Sequence, residues 1–401
     1  MARIKIINDP VYGFISIPYG IILDLIDHPY FQRLRRISQL GLSSYIYPGA
    51  THTRFHHALG AYHLMTKALS TLEAKGVLLS QEEKEAASIA ILLHDLGHGP
   101  FSHVLESALI PVEHEELTLL LMEELNNEFA GKLSLAITIF KNEYHKKYLY
   151  QLVSSQLDMD RLDYLTRDSF YTGVSEGIIG YDRIIQMMNV YDNQLVIEEK
   201  ALFSIEKFLT ARKIMYWQVY MHKASLSSEI MLTALLKAIK SNFSEIPISS
   251  GINYFLRNQN NINNKKITYE ILSHFVKLDD TDVWTLVKSV ITSPNNFVSY
   301  LAKGLIDRQL LKVEIKNVQT DGDVIDKMRL QCVNLLGFTQ DEAKLIIKGG
   351  TLEMSTYNQS FDEIFVNSRE KALIPLSEVL DLHHFSQNRL RYFISKPKEL
   401  S

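Results

Sequence analysis

One cysteine, Cys332, among 401 residues leaves no partner for an intrachain disulfide, so the fold must hold by packing and suits a reducing compartment. No apolar run is long enough to cross a bilayer, and Met1 to Gly13 shows no apolar stretch behind a basic start. Neither a membrane span nor a secretory leader is expected, and the cytoplasm is the expected location. An excess of one charge is also missing: 42 Lys and Arg against 46 Asp and Glu leave a net charge of −4, spread along the chain. Bulk nucleic-acid binding draws its affinity from neutralised phosphates, so that class of partner is not expected. A small phosphorylated ligand needs only a local basic cluster. What the chain does have is 46% hydrophobic residues, in a length that supports a sizeable core and two or three structural units.

Residues 4–17 carry two short β-favouring runs around Asp9-Pro10 and Gly13, which predicts a hairpin. From Tyr19 to about Ser241 the apolar residues recur at three and four, in 21–27, 58–72, 82–95, 115–129, 133–141, 147–157 and 201–240, the period of amphipathic or buried helix. Asn189 to Glu198, with Asp192-Asn193 between two β-favouring runs, is expected to be a local hairpin on the surface. Arg257 to Lys266 (RNQNNINNKK) is polar and Asn-rich and reads as a linker. The expected division is a mostly α core over 1–256 that starts with the hairpin, a linker at 257–266, and a smaller α+β region over 267–401. In that last region Lys348-Gly349-Gly350 reads as a break. His383-His384, with no carboxylate or cysteine at ligand spacing, read as surface or partly packed histidines.

Eight of the fourteen histidines, His52, His56, His57, His63, His94, His98, His103 and His114, fall within residues 52–114. Histidine fills a core poorly because its second nitrogen needs a partner, whereas a metal or acid–base site uses several together. The centre of the cluster is AASIAILLHDLGHGPFSH, Ala86 to His103. An adjacent His-Asp pair alone is a weak motif. Here it ends an apolar run, so the Asp95 carboxylate has left water, and a divalent cation would offset that cost. Gly97 and Gly99 are expected to let the backbone leave the helix in a tight turn that brings His98 and His103 to the space faced by His94. Further ligands are sought in Arg54-Phe55-His56-His57, which opens a helix, and in the acidic Leu157 to Tyr164, with Asp158, Asp160 and Asp163. Imidazole and carboxylate without thiolate suit Mn, Fe, Zn, Ni or Mg.

The series DHPYFQRLRRISQLG, YPGATHTRFHHALG, HDLGHGPFSH, EHEE, LDMDRLDYLTRD and YWQVYMHK, in this order across residues 4–240, resembles the HD-superfamily dNTP triphosphohydrolases of mammals and bacteria. The resemblance implies an HD-domain helical core in which His57, His94, Asp95 and Asp160 ligate one metal, with His56 a neighbour. It implies that His103 protonates the leaving oxygen while His98 and the His114-Glu115 pair assist with phosphate and water. Arg54, Arg161 and Arg212 would contact phosphate, with Mg accompanying it; the family carries lysine where this chain has Arg161, and the two pair with phosphate in different geometries. Gln39 and Asp168 would hold the 3′-hydroxyl, Leu40 and Tyr164 the ribose, and Tyr216 and Tyr220 the base. A ring over C2′ excludes a 2′-hydroxyl, which is how such a site prefers deoxyribose.

Lys5, Asn8, Asp27, Gln32 and Arg35 match family positions that read guanine in an activator site between subunits. That implies a homo-oligomer, dimer or tetramer, responsive to a guanine nucleotide or another dNTP. Compared with the mammalian SAM-and-HD-domain enzyme, the hairpin begins almost at residue 1, so recruitment through a SAM-type domain is not expected. The expected activity is hydrolysis of a dNTP to deoxynucleoside and inorganic triphosphate. Two alternatives are hydrolysis of another nucleotide or phosphoester, and a nucleotide-binding regulator with a structural metal. The cyclic-dinucleotide branch is disfavoured, because no Gly-Tyr-Pro follows the motif and Gly97-His98 stands where that branch carries lysine.

Overall fold

The computed structural model describes residues 3–241, 250–258, 267–354, 356–358, 362–367, 373–382, 385 and 390–400. The fold is mostly α, and it opens with the expected hairpin, β1 (Ile4–Asp9) against β2 (Gly13–Pro18). Asp9 makes its turn: Oδ1 accepts the N–H groups of Val11 and Tyr12, each at 2.9 Å, and Gly13 closes it at φ 77°. Alternation then buries Ile15 and Ile17 and leaves Ile4, Ile6 and Phe14 exposed.

Helices follow: α1 (Ile21–Asp27), α2 (Pro29–Gln32), α3 (Arg54–Ala74), α4 (Gln81–Leu93), α5 (Ser102–Ala108), α6 (His114–Glu128), α7 (Ser134–Phe140), α8 (Lys147–Val153), α9 (Met159–Thr172) and α10 (Tyr181–Gln186). α3 and α9 pack with almost no gap, since a Cβ on Gly60 would sit 1.9 Å from Asp163 Oδ1. That close approach is what aligns the acidic stripe of α9 with the histidines of α3.

The 201–240 period predicted continuous helix. The chain instead forms α11 (Leu202–Met215), a π-helical turn (Tyr216–Tyr220) and α12 (Lys223–Ser241). Periodicity does not register a single wide turn, and this one carries two of the predicted base-side tyrosines.

The second hairpin also differs from expectation. β3 (Met188–Tyr191) and β4 (Gln194–Glu198) flank the left-handed pair Asp192 and Asn193 as predicted, but Val196 and Ile197 are buried. β4 pairs in parallel with β7 (Phe365–Asn367), which pairs with β8 (Leu373–Pro375), so the hairpin is half of a four-stranded sheet rather than a local excursion. A parallel partner so distant in sequence leaves no local signature.

After α12 come α13 (Ser250–Arg257), α14 (Tyr269–Phe275), α15 (Asp280–Ser289) and α16 (Asn296–Ile306). Arg257 ends α13, and residues 259–266 of the expected linker lie outside the described residues, as do His383 and His384. β5 (Lys312–Lys316), β6 (Gly349–Leu352) and β9 (Arg391–Lys396) form an antiparallel sheet in the order β5-β9-β6, so Gly349-Gly350 starts a strand where a break was expected. Buried side chains form one cluster that includes Ile15, Leu92, Leu235, Phe275, Leu301 and Ile346. Among the described residues no helix is long and apolar enough to cross a membrane.

Candidate active site

The chain enters α3 through Thr53, whose hydroxyl lies 2.9 Å from His56 Nδ1 in a capping box. His56 is thereby engaged at the helix start, and His57, 1% exposed, faces inward. α4 is buried around its last turn by Ile89, Ile91, Leu92 and Leu93, so the chain leaves the helix at His94 inside the protein. The following turn, with Leu96 N–H on Leu93 O and His98 N–H on Asp95 O, carries Asp95 and His98 into the same space.

Gly97 and Gly99 do not serve that turn as expected, because neither has positive φ. A Cβ on Gly97 would lie 2.1 Å from His114 O, and one on Gly99 2.7 Å from Leu105 Cδ2. Close packing of α6 and α5 is therefore what requires them. The loop carbonyls are held by buried Arg33, whose Nη2 donates to Leu96 O at 2.8 Å and His98 O at 2.9 Å while Nη1 donates to Leu278 O at 3.2 Å.

α9 sorts three carboxylates that residue spacing left open. Asp158 caps the helix, accepting the Arg161 N–H at 2.7 Å, and pairs with the Arg161 guanidinium. Asp163 accepts from Arg167 and lies 2.7 Å from His57 Nδ1. Asp160 is the one of the three that faces the Nε2 atoms of both His57 and His94.

His57 Nε2, His94 Nε2 and Asp160 Oδ1 form a triangle with sides of 3.0, 3.3 and 3.4 Å. A cation with bonds of about 2.1 Å separates neighbouring octahedral ligands by about 3 Å, so these atoms are positioned to hold a divalent metal. Asp95 adjoins the triangle, with Oδ1 3.5 Å from His94 Nε2 and Oδ2 3.8 Å from His57 Nε2, while Arg54 Nη1 donates to Oδ2 at 2.6 Å. The ring of His57 is fixed from behind by Asp163, which Arg167 ties to Asp9 of the hairpin at 2.8 Å. Such outer partners orient a ligand imidazole.

Electrostatics separates the imidazoles. Burial disfavours charge on His57, but Asp160 and Asp163 outweigh it and push its pKa up to about 10. Burial also opposes the charge of Asp95, but the Arg54 guanidinium together with His94 and His98 outweighs it, holding the carboxyl well below the usual range. His98 is pushed down to about 3 by burial and then by Arg54; its ring stacks on His114 at 3.9 Å and its Nε2 lies 3.2 Å from Asp95. His103 does not join His94 in that space as expected. It stays exposed to a cavity, with Nδ1 3.7 Å from Glu106, and that carboxylate raises its pKa. Burial disfavours the Glu106 charge, but His103 and His114 hold its own pKa down to about 2. Glu106 thus favours the protonated form of the cavity-facing His103.

That cavity, of about 720 Å³, lies within the ~300–1,000 Å³ typical of ligand sites. Its wall includes Gln39, Leu40, Arg54, His103, Tyr164, Asp168, Arg212, Tyr216 and Tyr220. Asp160, Tyr164 and Asp168 are spaced by four on α9, which places them in one stripe. Asp168 is braced by His52 at 2.7 Å and by the Tyr220 hydroxyl at 2.6 Å, and Tyr164 meets Tyr220 edge to face. Gln39 Oε1 is buried with no partner among the described residues, an acceptor facing a cavity without a donor. The C-terminal region closes the wall with Thr351, Leu352, Met354 and Phe393, and Tyr216 donates to Glu353 O at 3.0 Å.

Arg161 is the predicted phosphate contact that does not line this cavity; it lines a second one, shared only through Arg212. Glu115 is largely exposed, 3.3 Å from His114 Nε2. Lys5 and Asp27 approach to 3.5 Å, Arg35 donates to Gln32 at 2.8 Å and lies over the Phe55 ring, and Asn8 is exposed beside them on the hairpin. Sequence reasoning missed Glu106, Arg167 and Arg33, and it offered Asp163 as a ligand where the structure makes it the partner of His57 Nδ1. The i, i+3 spacing of His103 and Glu106 was a usable signal for the first; Arg33 is distant in sequence from everything it holds.

The chain belongs to the HD-superfamily phosphohydrolases: the HD domain matches residues 54–168 and the HD associated region 179–247. It is similar to a phosphohydrolase from Bacteroides thetaiotaomicron, with 46% identity, a TM-score of 0.93 and coverage of 98% of this chain and 99% of that one. The uncharacterized protein YwfO of Bacillus subtilis is 34% identical, over 77% of this chain and 71% of its own length. The human deoxynucleoside triphosphate triphosphohydrolase SAMHD1 is 31% identical over 62% of this chain, a match that spans 47% of the human protein.

Proposed function

We propose that the chain hydrolyses a deoxynucleoside triphosphate to deoxynucleoside and inorganic triphosphate, with one divalent cation held by His57, His94, Asp95 and Asp160. The observation that carries the reading is the junction at Arg54, which lines the large cavity and also grips Asp95, so a phosphate chain entering from the cavity meets the His/Asp cluster. The cation would lower the pKa of a water and neutralise charge building on phosphorus. Its donors, two imidazoles and two carboxylates, suit Mn, Fe, Zn, Ni or Mg. Gln39 and Asp168 would hold the 3′-hydroxyl, with the bracing of Asp168 by His52 and Tyr220 fixing its direction. Arg54, Arg161 and Arg212 would take the phosphates.

His103 would donate the proton to the leaving oxygen, and Glu106 would keep it protonated. The test of the activity is direct: purified protein with each dNTP and Mn or Mg releases triphosphate. No release across these combinations, with activity on a generic phosphoester, would favour another phosphoester, and tight nucleotide binding without turnover would favour a regulator.

Two substitutions probe the roles. Glu106→Gln removes the charge that raises the His103 pKa, so the alkaline limb of the kcat/KM profile should move to lower pH; an unmoved limb would separate His103 from proton donation. Tyr164→Ala opens the wall beside the ribose, and discrimination against the matching ribonucleotide should fall about tenfold, read as the ratio of the two kcat/KM values.

Lys5, Asn8, Asp27, Gln32 and Arg35 are read as an activator nucleotide site between subunits of a homo-oligomer, supported by the Lys5–Asp27 and Arg35–Gln32 contacts. Asp27→Ala should weaken nucleotide-dependent assembly in sedimentation without changing metal content. Identical sedimentation with and without nucleotide, in the unsubstituted protein, discards this site.

A further inference from the structure

The large cavity is walled by two parts of the chain that differ in character. Its charged side chains, Arg54, Asp168, Arg212 and Glu229, all precede residue 241, whereas the residues contributed after 267, Thr351, Leu352, Met354 and Phe393, bring no charge. Leu352 and Met354 are buried, and the half-buried Phe393 stands opposite Gly350 in the sheet. A Cβ on Gly350 would lie 2.5 Å from Phe393 Cε1, so glycine is what lets the phenyl ring rest against the strand. This sheet is fastened to the π-helical turn: Tyr216 donates to Glu353 O at 3.0 Å, and the Arg391 guanidinium stands 4.6 Å from the centre of the Trp217 ring. The hydroxyls of the two base-side tyrosines are committed, that of Tyr216 to Glu353 O and that of Tyr220 to Asp168. Turn and sheet together therefore offer the cavity mainly ring and aliphatic surface.

We propose that Leu352, Met354 and Phe393 of the C-terminal region form the base-facing wall of the nucleotide site and select the substrate by ring area, so that purine deoxynucleotides bind ahead of pyrimidine ones. The inference rests on the dNTP reading, in which Arg54 leads the phosphates to the His/Asp cluster while Gln39 and Asp168 take the sugar. The base is then the part of the substrate left for the uncharged end of the cavity. It is also the flat, weakly hydrated part, which gains most from burial against such a surface. A wall whose tyrosine hydroxyls are already bonded reads base edges poorly, so affinity follows the area in contact, and a purine brings two fused rings where a pyrimidine brings one.

Equilibrium binding tests this without turnover. dATP, dCTP and 2-deoxyribose 5-triphosphate, which lacks a base, are titrated calorimetrically into the full chain dialysed against chelator. The unsubstituted protein should bind dATP about fivefold more tightly than dCTP and about tenfold more tightly than the abasic triphosphate. Phe393→Leu and Met354→Ala should each weaken dATP about fivefold, weaken dCTP less, and leave the abasic ligand unchanged, since only the base meets this wall. The abasic ligand is thus the measure of an intact site in each variant. Equal affinities for dATP and dCTP in the unsubstituted protein overturn the proposal, as does dATP affinity unchanged in both variants. A loss shared equally by dATP and the abasic triphosphate in both variants also overturns it, because the sheet would then act through the fold. Binding in the expected order without release of triphosphate sinks the reaction and leaves the wall, and release of triphosphate without these differences does the reverse.

Discussion

Asp95→Ala is expected to lower hydrolysis by roughly 10³-fold or more and to cost the protein its divalent cation, with helical content retained. The carboxylate lies 2.6 Å from Arg54, 3.2 Å from His98 and 3.5 Å from His94, so its removal takes a donor from the proposed metal set and also frees Arg54 from its fixed position. Both losses act on the transition state rather than on the fold. The helix before it is held by Ile89, Ile91, Leu92 and Leu93, and the loop after it by Arg33, none of which needs the Asp95 side chain. Metal analysis beside circular dichroism and triphosphate release reads the outcome. A variant that keeps its metal and its turnover would refute the site.

The second large effect is expected on stability. Arg167→Met leaves Asp163 and Asp9 buried without their shared cation, and breaking such a pair typically costs about 3–5 kcal/mol. Arg167 is fully buried, and its guanidinium donates to Asp163 at 3.0 Å through two nitrogens and to Asp9 at 2.8 Å. The substitution therefore unfastens the hairpin from α9 and loosens the partner of His57 Nδ1 together. A lower urea midpoint with metal affinity reduced about 10–100-fold is the expected pair of results. An unchanged midpoint would show that the network contributes packing alone, whatever happens to the metal.

Of the His/Asp cluster, the His94-Asp95 pair was legible because its signal is local, whereas His57 and Asp160 were joined to it by the family resemblance. A histidine-aspartate pair at the end of an apolar run, and four-residue steps along α9, are properties of short segments. The network behind them was not legible. Asp9, His57, Asp163 and Arg167 come from three separate segments, and no periodicity links them. The same reason hides Arg33, which clamps the loop of Asp95 from a distance, and β7, whose parallel pairing turns the hairpin after α10 into part of a sheet. The α11 to α12 stretch was misread as continuous because a π-helical turn preserves the apolar spacing on either side.

Local chemistry, then, is what the amino-acid order settles unaided: which stretches take up the helical period, and which side chains are expensive to bury unless a cation or a partner receives them. Tertiary packing decided that Asp160 faces the Nε2 atoms of His57 and His94 while Asp163 takes His57 Nδ1, that Glu106 attends His103, and that Arg161 lines a second cavity. Helical period fixes only the angle of a side chain about its own axis, whereas the approach of α3 to α9 at Gly60 and of α6 to the loop at Gly97 fixes what that side chain reaches.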